Sequence, residues 1–409
     1  MVNFLRLTSS NVFAQAITLF GYLFLTRIYS VEQFAQYALY ASSVVILAIV
    51  LGGRFEIAIV AAKNRFSALA LSLISLLTSG ILLSCMAALL VIVLICFEPM
   101  MFVVPNFVPL VFVGAAVSHF GNVARQWQTR IQRFDSIANY RVFTASGVVV
   151  LQIAFGLASD TQTGLWLIWG AIFGHMLGSA HIVIAWLRHL WKSIHRLNIN
   201  RLRAIALQYA EFPRYNVFSS LIGKANHEAP TFLIGGLLGT EVLGNYALAR
   251  RVLNQPLSIF GQALSQLFYS EFAKTIRSSR THAKTLFTKI VFWQALIAVA
   301  ICLCVFFFSE SIFERFFGSE WRFAGPISIL LLPMLFGRFV AVPIGPSLYS
   351  LGKNKFIAIW QIATFILSML SLFLGDYLGF GNYTILLYTT CLLLGYVFYI
   401  FYAWLALRA

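Results

Sequence analysis

Apolar segments of about 20 residues recur along the whole chain, and their length constrains the fold more than any other feature. A helix of about 20 residues spans the hydrocarbon core of a bilayer, because each residue adds about 1.5 Å. Of the 409 residues, 60% are hydrophobic and only 10% are charged, whereas about 25% of the residues in a soluble domain are charged. The long runs also differ from the alternating segments of a membrane β-barrel. The sequence therefore predicts an all-α polytopic membrane protein.

The pattern predicts about twelve transmembrane helices with short polar gaps between them. Their predicted ranges are 8–29, 34–60, 67–97, 103–124, 139–158, 163–187, 214–237, 244–268, 287–308, 324–350, 355–375 and 383–405. Alternate gaps are basic: 63–65, 125–133, 188–203, 274–284 and 353–355. Because Lys and Arg concentrate on the cytoplasmic side, this alternation predicts two cytoplasmic termini and accounts for most of the net charge of +16. A nucleic-acid partner is therefore not expected.

An octet that occurs twice indicates a repeat. EQFAQYAL runs from Glu32 to Leu39, and EVLGNYAL runs from Glu241 to Leu248. Each copy falls in the first outward gap of one half of the chain. The longest gap, a basic cytoplasmic connection at 188–213, separates six spans from six, so the repeat must be parallel. We predict an N-terminal six-helix bundle at 1–187 and a C-terminal six-helix bundle at 214–409.

Charged side chains inside the predicted spans are candidates for a binding site. A charge at membrane depth is costly and usually faces a cavity. The candidates are Arg27, Arg54, Glu56, Lys224, Glu228, Arg250, Arg251 and Arg338. Since six of these eight residues are cations, the pattern predicts a cation-rich lumen for an anionic ligand.

The seventh span has the clearest polar face. Its members recur at helical spacing and are Asn216, Ser220, Lys224, His227 and Thr231. This pattern favours a cavity lining, although a buried polar seam in which Lys224 and Glu228 pair is the alternative. Pro230 predicts a kink.

The eighth span has a second polar face that favours a water-filled lumen. It comprises Arg251, Gln255, Ser258, Gln262 and Gln266, with Arg250 beside it. The alternative is that the two arginines extend to lipid headgroups. Arg27, near the outer end of the first span, by itself favours an interfacial anchor.

The sequence does not determine the partners of two further cations, Arg54 and Arg338. Arg54 and Glu56 are two residues apart and would point to different faces of a helix, so the spacing does not predict an ion pair between them. Arg338 fits a cavity and a local structural pair equally well. The first span carries a polar stripe of Asn11, Gln15, Thr18 and Tyr22.

Patterns that indicate catalysis or metal binding are missing from the sequence. The five cysteines all lie inside apolar segments, which favours small buried side chains over thiolate ligands. His119, His175 and His181 stand singly among apolar or small residues, so packed histidines are expected. No phosphate-binding loop, metal-ligand spacing or nucleophile elbow occurs. We expect no catalytic residues, no metal and no cofactor.

The chain resembles the oligosaccharide (polysaccharide) flippases of the multidrug/oligosaccharidyl-lipid/polysaccharide exporter superfamily. The resemblance covers essentially the whole chain. It is carried by TRIYSVEQFAQYAL near the first hairpin, by EFPRYNVFSSLIGKANHEAPTFLIGGLLGTEVLGNYALARRVLNQP across the seventh and eighth spans, and by the following SIFGQALSQLFYSEFAK.

The resemblance implies two parallel six-helix bundles around a V-shaped central cavity. It also implies export of undecaprenyl-diphosphate-linked oligosaccharides across the bacterial inner membrane by alternating access, for O-antigen, capsule or exopolysaccharide synthesis. Arg27 and Arg54 match the cations of the first bundle, and Arg250 or Arg251 matches that of the second. Glu56 and Glu228 are candidates for coupling to an ion. Expected partners are the lipid-linked sugar, membrane lipids, and the polysaccharide polymerase with its chain-length machinery.

Two alternatives are open at this stage. A multidrug exporter of the same superfamily would carry a carboxylate deep in the first or seventh span, and the only such residue, Glu228, follows Lys224 by one turn. A polysaccharide polymerase or membrane glycosyltransferase would need a sizeable outward loop for its catalytic groups. The predicted outward gaps are too short for one, which favours the flippase.

Overall fold

The computed structural model describes residues 2–96, 107–158, 163–193, 195 and 198–407. These residues form helices joined by short connections, and no strand occurs among them. The prediction of an all-α membrane protein is confirmed.

Sixteen α-helices are present in the described part of the chain. The first eight are α1 (Val2–Ile28), α2 (Val31–Leu51), α3 (Phe55–Ala61), α4 (Arg65–Cys96), α5 (Val108–Arg130), α6 (Phe134–Ala158), α7 (Leu165–Ser193) and α8 (Ile199–Gln208). The remaining eight are α9 (Val217–Leu238), α10 (Thr240–Ser278), α11 (Arg280–Ile312), α12 (Ala324–Leu330), α13 (Leu332–Ile344), α14 (Pro346–Ser350), α15 (Asn354–Tyr377) and α16 (Tyr383–Ala406).

Eight segments among the described residues are long and apolar enough to cross a membrane, and nine if one bent helix pair counts as a span. Three further helices have sufficient length but more polar sequences: α5 with 23 residues, α9 with 22 and α10 with 39. Together these segments are consistent with the predicted twelve. Polar side chains within α9 and α10 are expected if these helices line a hydrophilic path.

The predicted second span is shorter than expected because its helix breaks at Gly52–Arg54. Gly53 and Arg54 have φ angles of 54° and 60°, in the left-handed region that a non-glycine residue rarely adopts. The candidate span therefore ends at Leu51, and α3 follows as a separate helix of seven residues outside the spans.

The predicted tenth span is bent. The segments Ser319–Leu330 and Leu332–Ser350 meet at 57°. Pro333 stands in the first turn of α13 and Pro343 lies inside it, and proline removes a backbone donor and collides with the preceding turn. The predicted basic connection also contains a helix, α8, whose start is capped by the side chain of Asn198.

The described chain divides into two compact units. Unit 1 comprises residues 1–29 and 36–228, and unit 2 comprises residues 30–35 and 229–409. Trp127 and Trp186 are fully buried in the core of unit 1, and Phe268, Phe272 and Phe287 fill that of unit 2. The predicted bundle boundaries, with a connection at 188–213, stay a prediction about membrane topology.

Both copies of the octet begin a long helix rather than occupy a loop. The first copy starts α2 and the second starts α10, and only residues 29–30 and Gly239 separate them from the preceding helices. Gly239 has a φ of 89°, which allows this sharp turn.

The start of the first octet packs against the second octet within unit 2. A Cβ on Gly244 would overlap the carbonyl oxygen of Val31 and lie 2.8 Å from its carbonyl carbon. The ring of Phe34 meets the fully buried Trp321 edge-on, with 4.8 Å between the centroids. The first residue of α2 thus approaches α10 at Gly244, where glycine leaves the room that this contact needs.

Candidate functional site

In unit 1, the break after α2 brings Arg54 and Glu56 together. Nη1 of Arg54 lies 3.3 Å from Oε1 of Glu56, and Nη2 donates to the hydroxyl of Ser220 at 2.6 Å. The Glu56 side chain is completely buried, whereas that of Arg54 is 18% exposed. The spacing argument for different faces was wrong here, because it assumed a continuous helix and Arg54 has a left-handed backbone.

A buried polar cluster surrounds Gly52 next to this ion pair. The hydroxyl of Ser75 lies 3.2 Å from Nε2 of His119 and 3.5 Å from the carbonyl oxygen of Gly52. A Cβ on Gly52 would overlap the His119 ring and come within 2.6 Å of Oε2 of Glu56. Among the described residues, neither Oε2 of Glu56 nor Nδ1 of His119 has a hydrogen-bond partner. This cluster can hold a proton or a small cation.

Glu56 lies on α3, outside the candidate spans. Its buried surroundings change the pKa of its carboxyl. Burial raises the pKa of its carboxyl above the ordinary value, against the lowering effects of Arg54 and Arg125. Burial disfavours a charged carboxylate, whereas a nearby guanidinium favours it.

The polar stripe predicted on the seventh span is present on α9, and its members make different contacts. Ser220 accepts from Arg54 in unit 1, and Thr231 accepts from Arg250 in unit 2. Lys224 and His227 are exposed, and Asn216 ends a short π-helical turn before α9. Two residues of the predicted stripe, Ser220 and Thr231, therefore accept hydrogen bonds from arginines at different points along α9.

Glu228 takes part in a contact that the sequence did not predict. The hydroxyl of Ser42 on α2 donates to its Oε2 at 2.8 Å within unit 1. Pro230 follows two residues later inside α9 and is buried.

In unit 2, the second octet places Arg250 at the end of a fully buried stretch of α10. Residues 243–249 are all buried, and Arg250 is half-buried. Its Nη1 donates to the Thr231 hydroxyl at 3.1 Å, and its guanidinium lies 6.0 Å from the centroid of the Tyr246 ring, where a cation is attracted to the π-face.

Arg338 lies in the same part of unit 2. Its Nη1 donates to Oδ1 of Asn254 on α10 at 3.2 Å. No carboxylate pairs with Arg338 within the described part of the chain. Buried Tyr388 on α16 lies within electrostatic reach of both Arg338 and Arg250, so the two cations belong to one cluster.

The remaining predicted site residues have separate positions. Arg27 is exposed in the last turn of α1, and Arg251 and Gln255 are half-buried on α10. The side chains of Ser258, Gln262 and Gln266, which the sequence assigned to the same face as Gln255, lie outside the described ones.

Two functional features were missed in the sequence. His119 and Ser75 come from different helices and meet beside Gly52 only through the fold, so no local pattern could reveal them. Arg141, which was not among the predicted site residues, lies in the N-terminal part of α6 and lines a cavity inside unit 1 with Asn11 and Tyr22.

The chemistry of both clusters suits anion binding and proton or cation exchange. Guanidinium groups bind phosphate and carboxylate oxygens through paired N–H donors. No group of three or more His, Cys, Asp and Glu residues that could hold a metal ion occurs in the part of the chain that the structure describes.

Two curated relatives match part of this sequence. The teichuronic acid biosynthesis protein TuaB of Bacillus subtilis (strain 168) is 24% identical over 165 residues, 40% of this chain and 34% of the relative. The amylovoran biosynthesis protein AmsL of Erwinia amylovora is 27% identical over 123 residues, 30% of this chain and 31% of the relative. The matches thus span about a third of each relative.

Solved transporters share the fold over nearly the whole chain. The lipid II flippase MurJ, in an inward closed conformation, superposes with a TM-score of 0.69 at 12% identity, covering 98% of this chain and 87% of that protein. An inward-facing multidrug resistance transporter of the MATE family, from the MOP superfamily, gives a TM-score of 0.68 at 12% identity, with 98% and 94% coverage. At such low identity these similarities concern the fold alone.

The family is shown by sequence. Residues 24–326 match the family described as polysaccharide biosynthesis protein, which is well over half of the chain. The protein therefore belongs to the polysaccharide biosynthesis protein family, as a multi-pass membrane protein with the fold of the multidrug/oligosaccharidyl-lipid/polysaccharide exporter superfamily.

Proposed function

We propose that the protein translocates undecaprenyl-diphosphate-linked oligosaccharides across the bacterial inner membrane for surface polysaccharide synthesis. The observation that carries the proposal is the cation cluster of unit 2, where Arg250 and Arg338 are held by a hydroxyl and an amide and both lie near Tyr388. Guanidinium groups suit a diphosphate, and amides and tyrosines suit sugar hydroxyls. Membership of a polysaccharide biosynthesis family supports a glycan as the cargo.

Each predicted site residue has a role in this proposal. Arg250, Arg251, Lys224 and Arg27 offset the charge of the diphosphate, and Arg54 and Arg338 extend the positive lining. His227 and Gln255 contact sugar hydroxyls. The two bundles rock to expose the cargo alternately to each side, and a helix with an internal proline, such as α9, suits bending.

The two carboxylates, Glu56 and Glu228, are the proposed binding sites for a coupling ion. Glu56 lies in a buried cluster with two unpartnered polar atoms, and Glu228 accepts a bond from Ser42. We propose that one of them takes up a proton or sodium ion during the cycle. Transport into proteoliposomes should respond to an imposed gradient of that ion, and Glu56→Gln or Glu228→Gln should remove the response. Transport that ignores both gradients would exclude coupling.

The arginines are tested in cells whose surface polysaccharide depends on this protein. Arg250→Ala with Arg251→Ala should abolish surface polysaccharide while the protein still inserts at normal abundance. The matched control is Arg322→Ala, because Arg322 is 60% exposed and pairs with Glu310 outside the cluster. Wild-type polysaccharide in the double variant would show that these arginines do not bind the cargo.

The cargo is tested on sealed vesicles that contain the purified protein. Vesicles should flip a fluorescent lipid-diphosphate sugar and should not export an organic cation. Export of the cation without flipping would assign the protein to drug efflux. If neither occurs, the proposed transport function is wrong. Polymerase and glycosyltransferase activity are then assayed with the same lipid-linked sugar.

Topology and partners complete the proposal. We place both termini in the cytoplasm, because basic gaps alternate along the chain. A reporter fused to either terminus should be protected from protease added outside spheroplasts. We also propose that the protein works beside the polysaccharide polymerase and its chain-length machinery, which crosslinking in intact cells tests.

A further inference from the structure

A cavity of about 300 Å³ lies inside unit 1, and Glu56 is not among its lining residues. It is bounded by α1, α2, α6 and α7. The residues that give it its chemistry are Asn11, Tyr22, Tyr37, Tyr140, Arg141 and Gln152. At about 30 Å³ per water, this volume corresponds to roughly ten water molecules, which is enough room for one sugar ring.

The cavity carries one charge, and that charge is positive. No Asp or Glu is among its lining residues. Nη1 of Arg141 donates to the carbonyl oxygen of Leu7 at 2.9 Å, and no carboxylate pairs with Arg141 within the described residues. The nearest acid along α6, Asp135, pairs with Arg6 instead. A partly buried cation without a counter-charge favours an anionic ligand, because pairing offsets its desolvation.

The other walls suit a carbohydrate. Three tyrosines combine flat apolar faces with hydroxyl groups, which is the combination that contacts both the C–H face and the hydroxyls of a sugar. Thr144 also lines the cavity, although its buried hydroxyl faces Gly178 on α7 rather than the open space. Gln152 is fixed by its side-chain amide, which donates to the carbonyl oxygen of Leu167 at 2.9 Å.

We propose that this cavity binds one acidic sugar residue of the transported glycan, with Arg141 paired to the sugar carboxylate and the tyrosines against the ring. The proposal rests on the proposed function, because it makes the ligand part of the cargo. It assigns to unit 1 the recognition of a negatively charged sugar, whereas the arginines on α10 contact the diphosphate.

Binding is measured on the full-length protein in nanodiscs by calorimetric titration with glucuronate, glucose and acetate. Glucuronate should bind at one site per protein and at least tenfold more tightly than glucose or acetate. Arg141→Gln should weaken glucuronate at least tenfold and leave glucose unchanged, and Arg141→Lys should retain part of the preference. The matched control, Arg133→Gln, changes an exposed residue at the start of α6 and should bind as wild type.

Several outcomes would overturn the assignment. These are equal affinity for glucuronate and glucose, unchanged glucuronate affinity in Arg141→Gln, or acetate binding that equals glucuronate binding. Asn11→Ala provides a second variant if Arg141→Gln does not fold, and it should also weaken glucuronate binding, because it removes a polar side chain from the cavity wall. Because this second variant retains Arg141, it should bind acetate with the same affinity as the wild type.

A competition assay separates a cargo site from a site for free sugar. A lipid-diphosphate glycan that contains a hexuronate should displace glucuronate, and its neutral counterpart should not. No displacement by either would overturn the cargo assignment. Flipping is measured with the same purified protein in sealed vesicles, so that failure of flipping with intact glucuronate binding counts against the proposed function, and the converse counts against this cavity.

Discussion

Replacing Arg54 with Ala tests whether buried Glu56 depends on its guanidinium partner. The two groups are 3.3 Å apart, and their side chains are 18% and 0% exposed. Removing one partner of a buried ion pair costs about 3–5 kcal/mol, because an uncompensated charge remains in the interior. Since Arg54 retains some contact with solvent, we expect about 3 kcal/mol for Arg54→Ala. The double variant Arg54→Ala/Glu56→Gln should recover most of this loss, because it leaves no buried charge.

The loss should depend on pH in a direction that the structure fixes. Burial raises the pKa of Glu56, and Arg54 opposes this effect. A carboxyl whose pKa is higher in the folded than in the unfolded protein stabilises the fold at low pH, and this stabilisation is lost as the pH rises through the folded pKa. Without Arg54 that pKa rises further. Arg54→Ala should therefore be most stable in acid, and the double variant should lack this dependence.

The assay is the apparent melting temperature of the full-length protein in detergent, read as the monodisperse fraction after heating at acidic, neutral and alkaline pH. Arg6→Ala is the control, because its ion pair with Asp135 is 58% and 70% exposed and should contribute at most about 1 kcal/mol. The reasoning fails if Arg54→Ala matches this control at alkaline pH. It also fails if Glu56→Gln does not rescue Arg54→Ala.

Two further predictions concern contacts in unit 2. Gly244→Ala should destabilise the protein by about 1–3 kcal/mol in the same assay, because its Cβ would overlap the backbone of Val31; Gly236→Ala, which has open space around it, should be neutral or stabilising, and equal effects would contradict the packing. Thr231→Val should lower flipping several-fold by releasing Arg250, with Thr231→Ser near wild type; equal rates in both would remove Thr231 from the positioning of this arginine.

The sequence predicts most of the architecture because membrane thickness sets the length of its helices. Long apolar runs were sufficient for the all-α fold and for a number of spans consistent with twelve. The positions where helices break or bend were harder to predict from the sequence. Gly52-Gly53 and the prolines of the tenth span indicated flexible positions, but whether a helix bends or ends there depends on packing against other helices.

The sequence predicted which residues belong to the site better than it predicted which residues they contact. Helical periodicity placed Ser220 and Thr231 on one face of α9, where both accept bonds from arginines. The identity of those arginines depends on contacts between distant segments, which periodicity does not contain. The pairing of Arg54 with Glu56 was missed because it needs a left-handed backbone at Arg54, and only the folded chain imposes that conformation.

The repeated octet marks the point at which the charges of the two predicted halves diverge. Both copies start a long helix, and they differ where one approaches the other: Ala35 in the first copy corresponds to Gly244 in the second, where Val31 leaves no room for a methyl group. Three residues after each octet stand Ser42 and Arg251. Ser42 donates to the carboxylate of Glu228, whereas the equivalent position in unit 2 carries a cation. The charge asymmetry of the candidate site therefore begins directly after a shared helix start, so it requires no change of fold.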